Sequence, residues 1–273
     1  MRTLDRSETH RPVRLPGEAR APWALVAINA AGLCAFLWPL FIGAGRTTAE
    51  GRAHTTDAPV LVALALPLIG VVALQEARRH RTDARLVALL GALVAVSAFM
   101  RLPKGPSGEG FALVLPILAG WSLGSRFGFL LGSLTIVVSA VLTAGVGPWM
   151  PFQMFAAGWV GAGAGLARRA TGGRLATLTL GAYAAVACVV FGGLMTLWFW
   201  PFLASGTAAA FEPGLGAAET VRRYIAFYAI SSLGWDVGRA LLGTVPLVVV
   251  LARPVGRLLD RAAARLGQTS APM

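Results

Sequence analysis

The chain has 273 residues, 56% hydrophobic and 13% charged, with a mean hydropathy of +0.68. Soluble domains run at about 45–50% apolar and about 25% charged residues, so the composition excludes a disordered chain, a disulfide scaffold and an ordinary cytosolic enzyme. Twenty-three Arg and one Lys against 12 acids give a net charge of +12. Such a charge can mark a nucleic-acid surface, but here nearly all of it lies between apolar runs, the pattern that orients a membrane protein.

Residues 1–22 are polar, with five Arg and three acids, and read as a cytoplasmic tail. The acids, and the lack of a convincing small-residue cleavage site after the first apolar run, argue against a removed secretory signal. A retained helix is expected from Trp23 to about Ala44, a polar loop over 45–57, and a second helix from Ala58 to Gln75. Together 23–75 make an N-terminal transmembrane hairpin, followed by the basic run Glu76-Ala77-Arg78-Arg79-His80-Arg81. The third span, Leu86 to Met100, is short and ends in Arg101-Leu102-Pro103-Lys104-Gly105-Pro106-Ser107-Gly108, a rigid and then flexible loop. Phe111 to Gly124 is also short and carries Pro116; only Ser125-Arg126 separates it from Phe127–Val146, which predicts a tight hairpin. Gly147-Pro148-Trp149-Met150-Pro151 is a turn, and Phe152–Ala167 follows, closed by Arg168, Arg169 and Arg174. The longest apolar run is Leu175 to Leu203; a loop over 204–223, a last helix over Tyr224–Ala252 and a basic cytoplasmic tail over 253–273 complete the chain.

Roughly 20 apolar residues cross a bilayer once, so the expected fold is an all-α polytopic membrane protein with about eight transmembrane helices. With the first residue inside, the inner segments 1–22, 76–85, 125–126, 168–174 and 253–273 hold seventeen basic residues and the outer loops six. That asymmetry places both termini in the cytoplasm, and the chain in the cell inner (plasma) membrane.

Soluble chemistry is not visible. The only lysine, Lys104, precedes Gly105, so there is no Walker A loop. His10, His54 and His80 all fall in polar segments, and neither an H-E-x-x-H nor a G-x-S-x-G element occurs. No metal site and no enzyme are expected. Cys34 and Cys188 sit in apolar runs and read as small hydrophobes. Two ionisable residues are clearly intramembrane, Asp236 and Arg239, whose i,i+3 spacing lets them pair on one helix face. The pair either fastens the last helix to a neighbour or takes part in ion-coupled transport.

Three features follow in order between Arg101 and Arg169. They are the Arg101-Leu102-Pro103-Lys104-Gly105 loop; the hairpin Leu115-Pro116-Ile117-Leu118-Ala119-Gly120 … Phe127-Gly128-Phe129-Leu130-Leu131-Gly132; and Gly147-Pro148-Trp149-Met150-Pro151-Phe152-Gln153-Met154 … Ala157-Gly158-Trp159-Val160-Gly161. This stretch resembles the membrane-embedded substrate-specific (S) component of energy-coupling factor (ECF) vitamin transporters. The resemblance covers 86–252 as a six-helix substrate-binding core, with the first two spans as an N-terminal addition. It implies that the chain captures a vitamin without a cofactor of its own, while an ECF transmembrane coupling protein and two cytoplasmic ABC ATPases use ATP. The Gly-Pro-Trp-x-Pro-Phe-Gln segment is similar to that of members associated with cobalamin uptake, which favours a corrinoid; other vitamins, a nucleobase-like micronutrient or an amino acid stay open. The resemblance also implies a small-residue face on the first core helix that docks on the coupling protein, here Ala84, Ala88 and Ala92.

Sites in this family lie at the outer end of the bundle under loops, which points to Arg101, Lys104, Trp149, Phe152 and Gln153. Trp159, deeper, either lines the cavity or packs between helices. Trp198, Trp200, Tyr224, Phe227 and Tyr228 also gather near that end; aromatic walls with few polar groups suit a largely apolar or planar ligand, although interfacial anchoring places such residues there too. The rival classes are a stand-alone secondary transporter coupled through Asp236, and a membrane scaffold without a ligand.

Overall fold

A computed structural model describes residues 23–42, 58–79, 84–103, 111–171, 175–203 and 207–268. Among them the regular elements are helices: α1 (Trp23–Ile42), α2 (Ala58–Arg79), α3 (Ala84–Met100), α4 (Val114–Leu123), α5 (Ser125–Leu142), α6 (Met150–Arg169), α7 (Ala176–Phe199), α8 (Ala217–Ser231), α9 (Leu233–Gly238) and α10 (Val245–Gln268). A 3₁₀ turn over Trp200–Phe202 extends α7, and a π-helical turn over Arg239–Thr244 joins α9 to α10.

Among the described residues, three continuous helical stretches are long and apolar enough to cross a bilayer: Ser125–Leu142, Ala176–Phe202 and Leu233–Leu259. Shorter apolar helices cover Val26–Trp38, Ala58–Val71, Leu86–Met100 and Val114–Leu123. Large apolar side chains such as Phe41, Val141, Leu178, Ile230 and Val250 point away from the protein. A surface of that kind suits lipid, and with these apolar helices the chain is an all-α membrane protein.

The centre of the bundle is α4, α5 and α6, packed together. Glycines explain how closely they approach. A Cβ on Gly120 or Gly128 would fall on the Gly161 carbonyl, one on Gly161 on the Gly128 carbonyl, and one on Gly132 on the Ala157 carbonyl. Lipid tails are as apolar as a leucine side chain, so helices in a membrane associate through close packing, which small residues permit. Ser133 Oγ adds a hydrogen bond of 3.0 Å to the Met154 carbonyl across the same seam. Between α4 and α5 the chain turns on one residue, Gly124, whose φ of 102° is open to glycine at little cost. Pro151 stands in the first turn of α6, where its missing N–H costs nothing.

Around this centre α3 packs on α5, α10 on α4 and α7, and α7 on α6. The α1–α2 hairpin is part of the same core. α1 lies on α6, and Phe36, 1% exposed, meets Phe152 edge-on with centroids 5.0 Å apart.

Several boundaries differ from the sequence-based expectation. Residues 217–223, expected as loop, begin α8. The last span is not one helix: it breaks at Ser232, whose φ of −132° leaves the helical region. The expected basic tail is helix to Gln268, in which Arg253, Arg257 and Arg261 stand on the exposed side of a strongly amphipathic α10 that continues unbroken through Pro254. Cys188 is buried as expected, but Cys34 is exposed on α1.

Candidate functional site

The end of the bundle that carries the α5–α6 turn brings together three of the expected residues. Arg101 stands just beyond α3. Its Nη1 donates to Ser139 Oγ at 2.9 Å and its Nη2 to Gln153 Oε1 at 2.9 Å. Ser139 in turn donates to the Ile136 carbonyl. One half-buried guanidinium thus ties α3, α5 and α6. Trp149 immediately precedes α6 and folds its indole over Gly147, whose Cβ position that ring occupies. The glycine and tryptophan of the Gly-Pro-Trp turn are therefore matched by contact.

The remaining expected residues divide. Lys104 lies outside the described residues, as does most of its loop. Phe152 is fully buried, between Phe36 and Trp198, with centroids 5.0 and 6.2 Å away. Enclosed in this way, it could reach a ligand only if Phe36 or Trp198 moved. Trp159 packs between helices: its Nε1 donates to Asn29 Oδ1 of α1, and its ring lies 5.7 Å from Phe36 and 5.8 Å from Phe155. Ala88 and Ala92 are exposed on α3, with Gly91 between them facing open space; the side chain of Ala84 is outside the description. Trp200, nearly fully buried, holds the following segment, donating from Nε1 to the Ala209 carbonyl at 3.0 Å and packing on Phe211 and Tyr224 at 5.3 Å each.

A second polar cluster lies within the apolar part of the bundle. Asp236 and Arg239 form their pair, with Oδ1 and Nη1 2.9 Å apart and both side chains buried. The Tyr228 hydroxyl is 2.8 Å from Asp236 Oδ2 and 3.1 Å from the Val189 carbonyl, so its single proton serves one or the other. The carboxylate fits only because residue 192 is glycine; a Cβ there would collide with it. The Arg239 guanidinium lies 5.6 Å from the centre of the Phe191 ring, a cation–π arrangement. Thr196 Oγ1 donates to Ser232 Oγ at 2.8 Å, which spans the helix break. Sequence reasoning missed Gly192 and Tyr228 as partners of this carboxylate. The signals were a Gly-Gly pair inside an apolar run and a tyrosine eight residues before the aspartate.

Arg223 ties the start of α8 to the segment before it. It pairs with Glu219 at 2.9 Å and Glu212 at 3.2 Å, while Arg222 pairs with Glu219 at 2.6 Å. Hydrogen bonds from Arg222 first, and from Arg223, hold the Glu219 carboxyl down to about 2.

Among the described residues, no three His, Cys, Asp or Glu side chains gather as a metal site would need. No family profile, curated protein or solved structure matches the chain. Fold and geometry define an all-α membrane protein with two polar centres, one at a bundle end and one buried.

Proposed function

We propose that the chain is the membrane-embedded substrate-binding subunit of an ECF-type importer in the plasma membrane. It would capture a vitamin-like solute, a cobalamin-type corrinoid being favoured, for partner ATPases to drive inward. The observation that carries this reading is the Arg101–Ser139–Gln153 centre at a bundle end, flanked by Trp149 and backed by Phe152 and Trp198. Few convergent polar groups before an aromatic wall are what a small-molecule site needs. The exposed Ala88–Gly91–Ala92 face supports docking on a coupling protein, and the arginine asymmetry supports cytoplasmic termini.

The test is purification after expression with a corrinoid supplied, followed by absorption and native mass spectra. A red chromophore at one per chain supports the reading. Colourless protein that also ignores other vitamins in a thermal-shift screen overturns it.

One observation favours a second reading, a secondary transporter. Asp236 is a buried carboxylate beside a π-helical turn, within reach of a tyrosine hydroxyl, and intramembrane carboxylates of this kind serve proton relays. Uptake by this chain alone that collapses with the proton gradient would select that reading. Uptake that requires a partner ATPase would select the first.

A further inference from the structure

At the arginine-rich end of the bundle, α4, α6, α7 and α10 leave a cleft of about 300 Å³ between them. Its polar lining is Ser122, Arg168, Thr177, Arg253 and Arg257, with Trp121 beside them. The rest of the lining is Leu, Ala and Gly, and no acidic residue contributes to it. Nor does any of the three arginines pair with an acid among the described residues.

Three guanidiniums around one volume repel one another. The arrangement becomes favourable when an anion sits between them. Trp121, 8% exposed, steadies one of them: Arg168 Cζ is 5.4 Å from its ring centre. Arg253 and Arg257 are one turn apart on α10 and exposed, so they form the mouth. Gly256, between them, faces Ser122 Oγ without obstructing it. Guanidinium forks match phosphate oxygens two at a time, and the two hydroxyls add donors. Basic pockets between transmembrane helices are suited to anionic headgroups.

We propose that this cleft binds a phosphate group, carried either by an anionic phospholipid headgroup or by a soluble phosphate compound. The site is separate from the Arg101 centre, and the inference does not depend on the function proposed above.

The full chain, purified in mild detergent, would be offered phosphatidylglycerol, phosphatidylcholine or inorganic phosphate, and read by native mass spectrometry and thermal shift. Retention of phosphatidylglycerol but not phosphatidylcholine, unaffected by millimolar phosphate, identifies a headgroup site. A thermal shift with inorganic phosphate and no lipid retention identifies a soluble phosphate site. In either case R253Q and R257Q should each weaken binding about tenfold, the scale of one lost charge-assisted hydrogen bond. R222Q, an exposed arginine elsewhere, should leave it unchanged. Both cleft substitutions are at exposed positions, so folding is expected to survive, and the thermal unfolding midpoint checks this. Binding of neither probe, or equal binding by R253Q, R257Q and R222Q, overturns the proposal.

Discussion

Arg101 joins three helices through two side-chain hydrogen bonds, and that double duty makes its substitution informative. R101A leaves Ser139 and Gln153 without their donor, which costs about 1–3 kcal/mol, read as a lower unfolding midpoint in detergent. If the centre also holds ligand, the same variant loses binding while the conservative R101K keeps part of it. Within the buried cluster, D236A strands Arg239 in the bundle and should cost about 3–5 kcal/mol, whereas replacing both members by apolar residues should cost far less. A double-mutant cycle on thermal unfolding separates these outcomes. G192A drives a methyl into the Asp236 carboxylate and should cost about 1–3 kcal/mol through overpacking. The i,i+3 pair was legible because spacing on a helix is a sequence property. The fit of Asp236 against Gly192 was not, because it depends on how two helices far apart in sequence are docked.

At the scale of elements, the glycines of α4, α5 and α6 set the spacing of the central bundle. G161A and G128A place a methyl against backbone, which cannot yield as a side chain can, so both should abolish the cooperative unfolding transition. G91A on α3, where nothing lies within reach, should leave that transition unchanged. Hairpin α4–α5 was readable from the two adjoining apolar runs, although the turn falls on Gly124 and Ser125-Arg126, expected as the connection, begin α5. The break at Ser232 was not, since Ala229-Ile230-Ser231-Ser232 has no proline or glycine; tertiary packing and the Thr196 hydrogen bond set it. The start of α8 depends instead on charge. The Glu219 carboxyl, outside the spans, sits below its ordinary 4.5 because Arg222, then Arg223, donates to it. A depressed carboxyl contributes above its unfolded value and loses that contribution as pH falls toward its folded one. Amide protection over 217–223 should therefore match at about pH 7 and about pH 5 and decline from about pH 4 toward about pH 2; a decline already complete at about pH 5 would remove the clasp.

Across the whole molecule, the first hairpin is a structural part of the bundle. The resemblance suggested an addition to a six-helix core; Phe36 of that hairpin covers Phe152, and Asn29 accepts from Trp159, 130 residues away. Removing residues 1–79 would uncover both aromatics, so that truncation should aggregate on size exclusion; a monodisperse helical product would show that the rest stands alone. No sequence pattern links Asn29 to Trp159, because only the packed bundle brings them together. The π-helical turn has a consequence of the same scale. There the Val245 N–H reaches back to the Ala240 carbonyl, five residues instead of four, so the turn carries one residue more than an α-helix would. Deleting Gly243 would remove that extra residue, let the stretch rewind as ordinary helix and leave everything after it close to its present rotation about the axis. Val248 and Leu259, now inward, would stay inward, and Arg253 and Arg257 would keep their cleft. The turn thus absorbs one residue of chain length without disturbing the rotational phase of α10 against the rest of the protein.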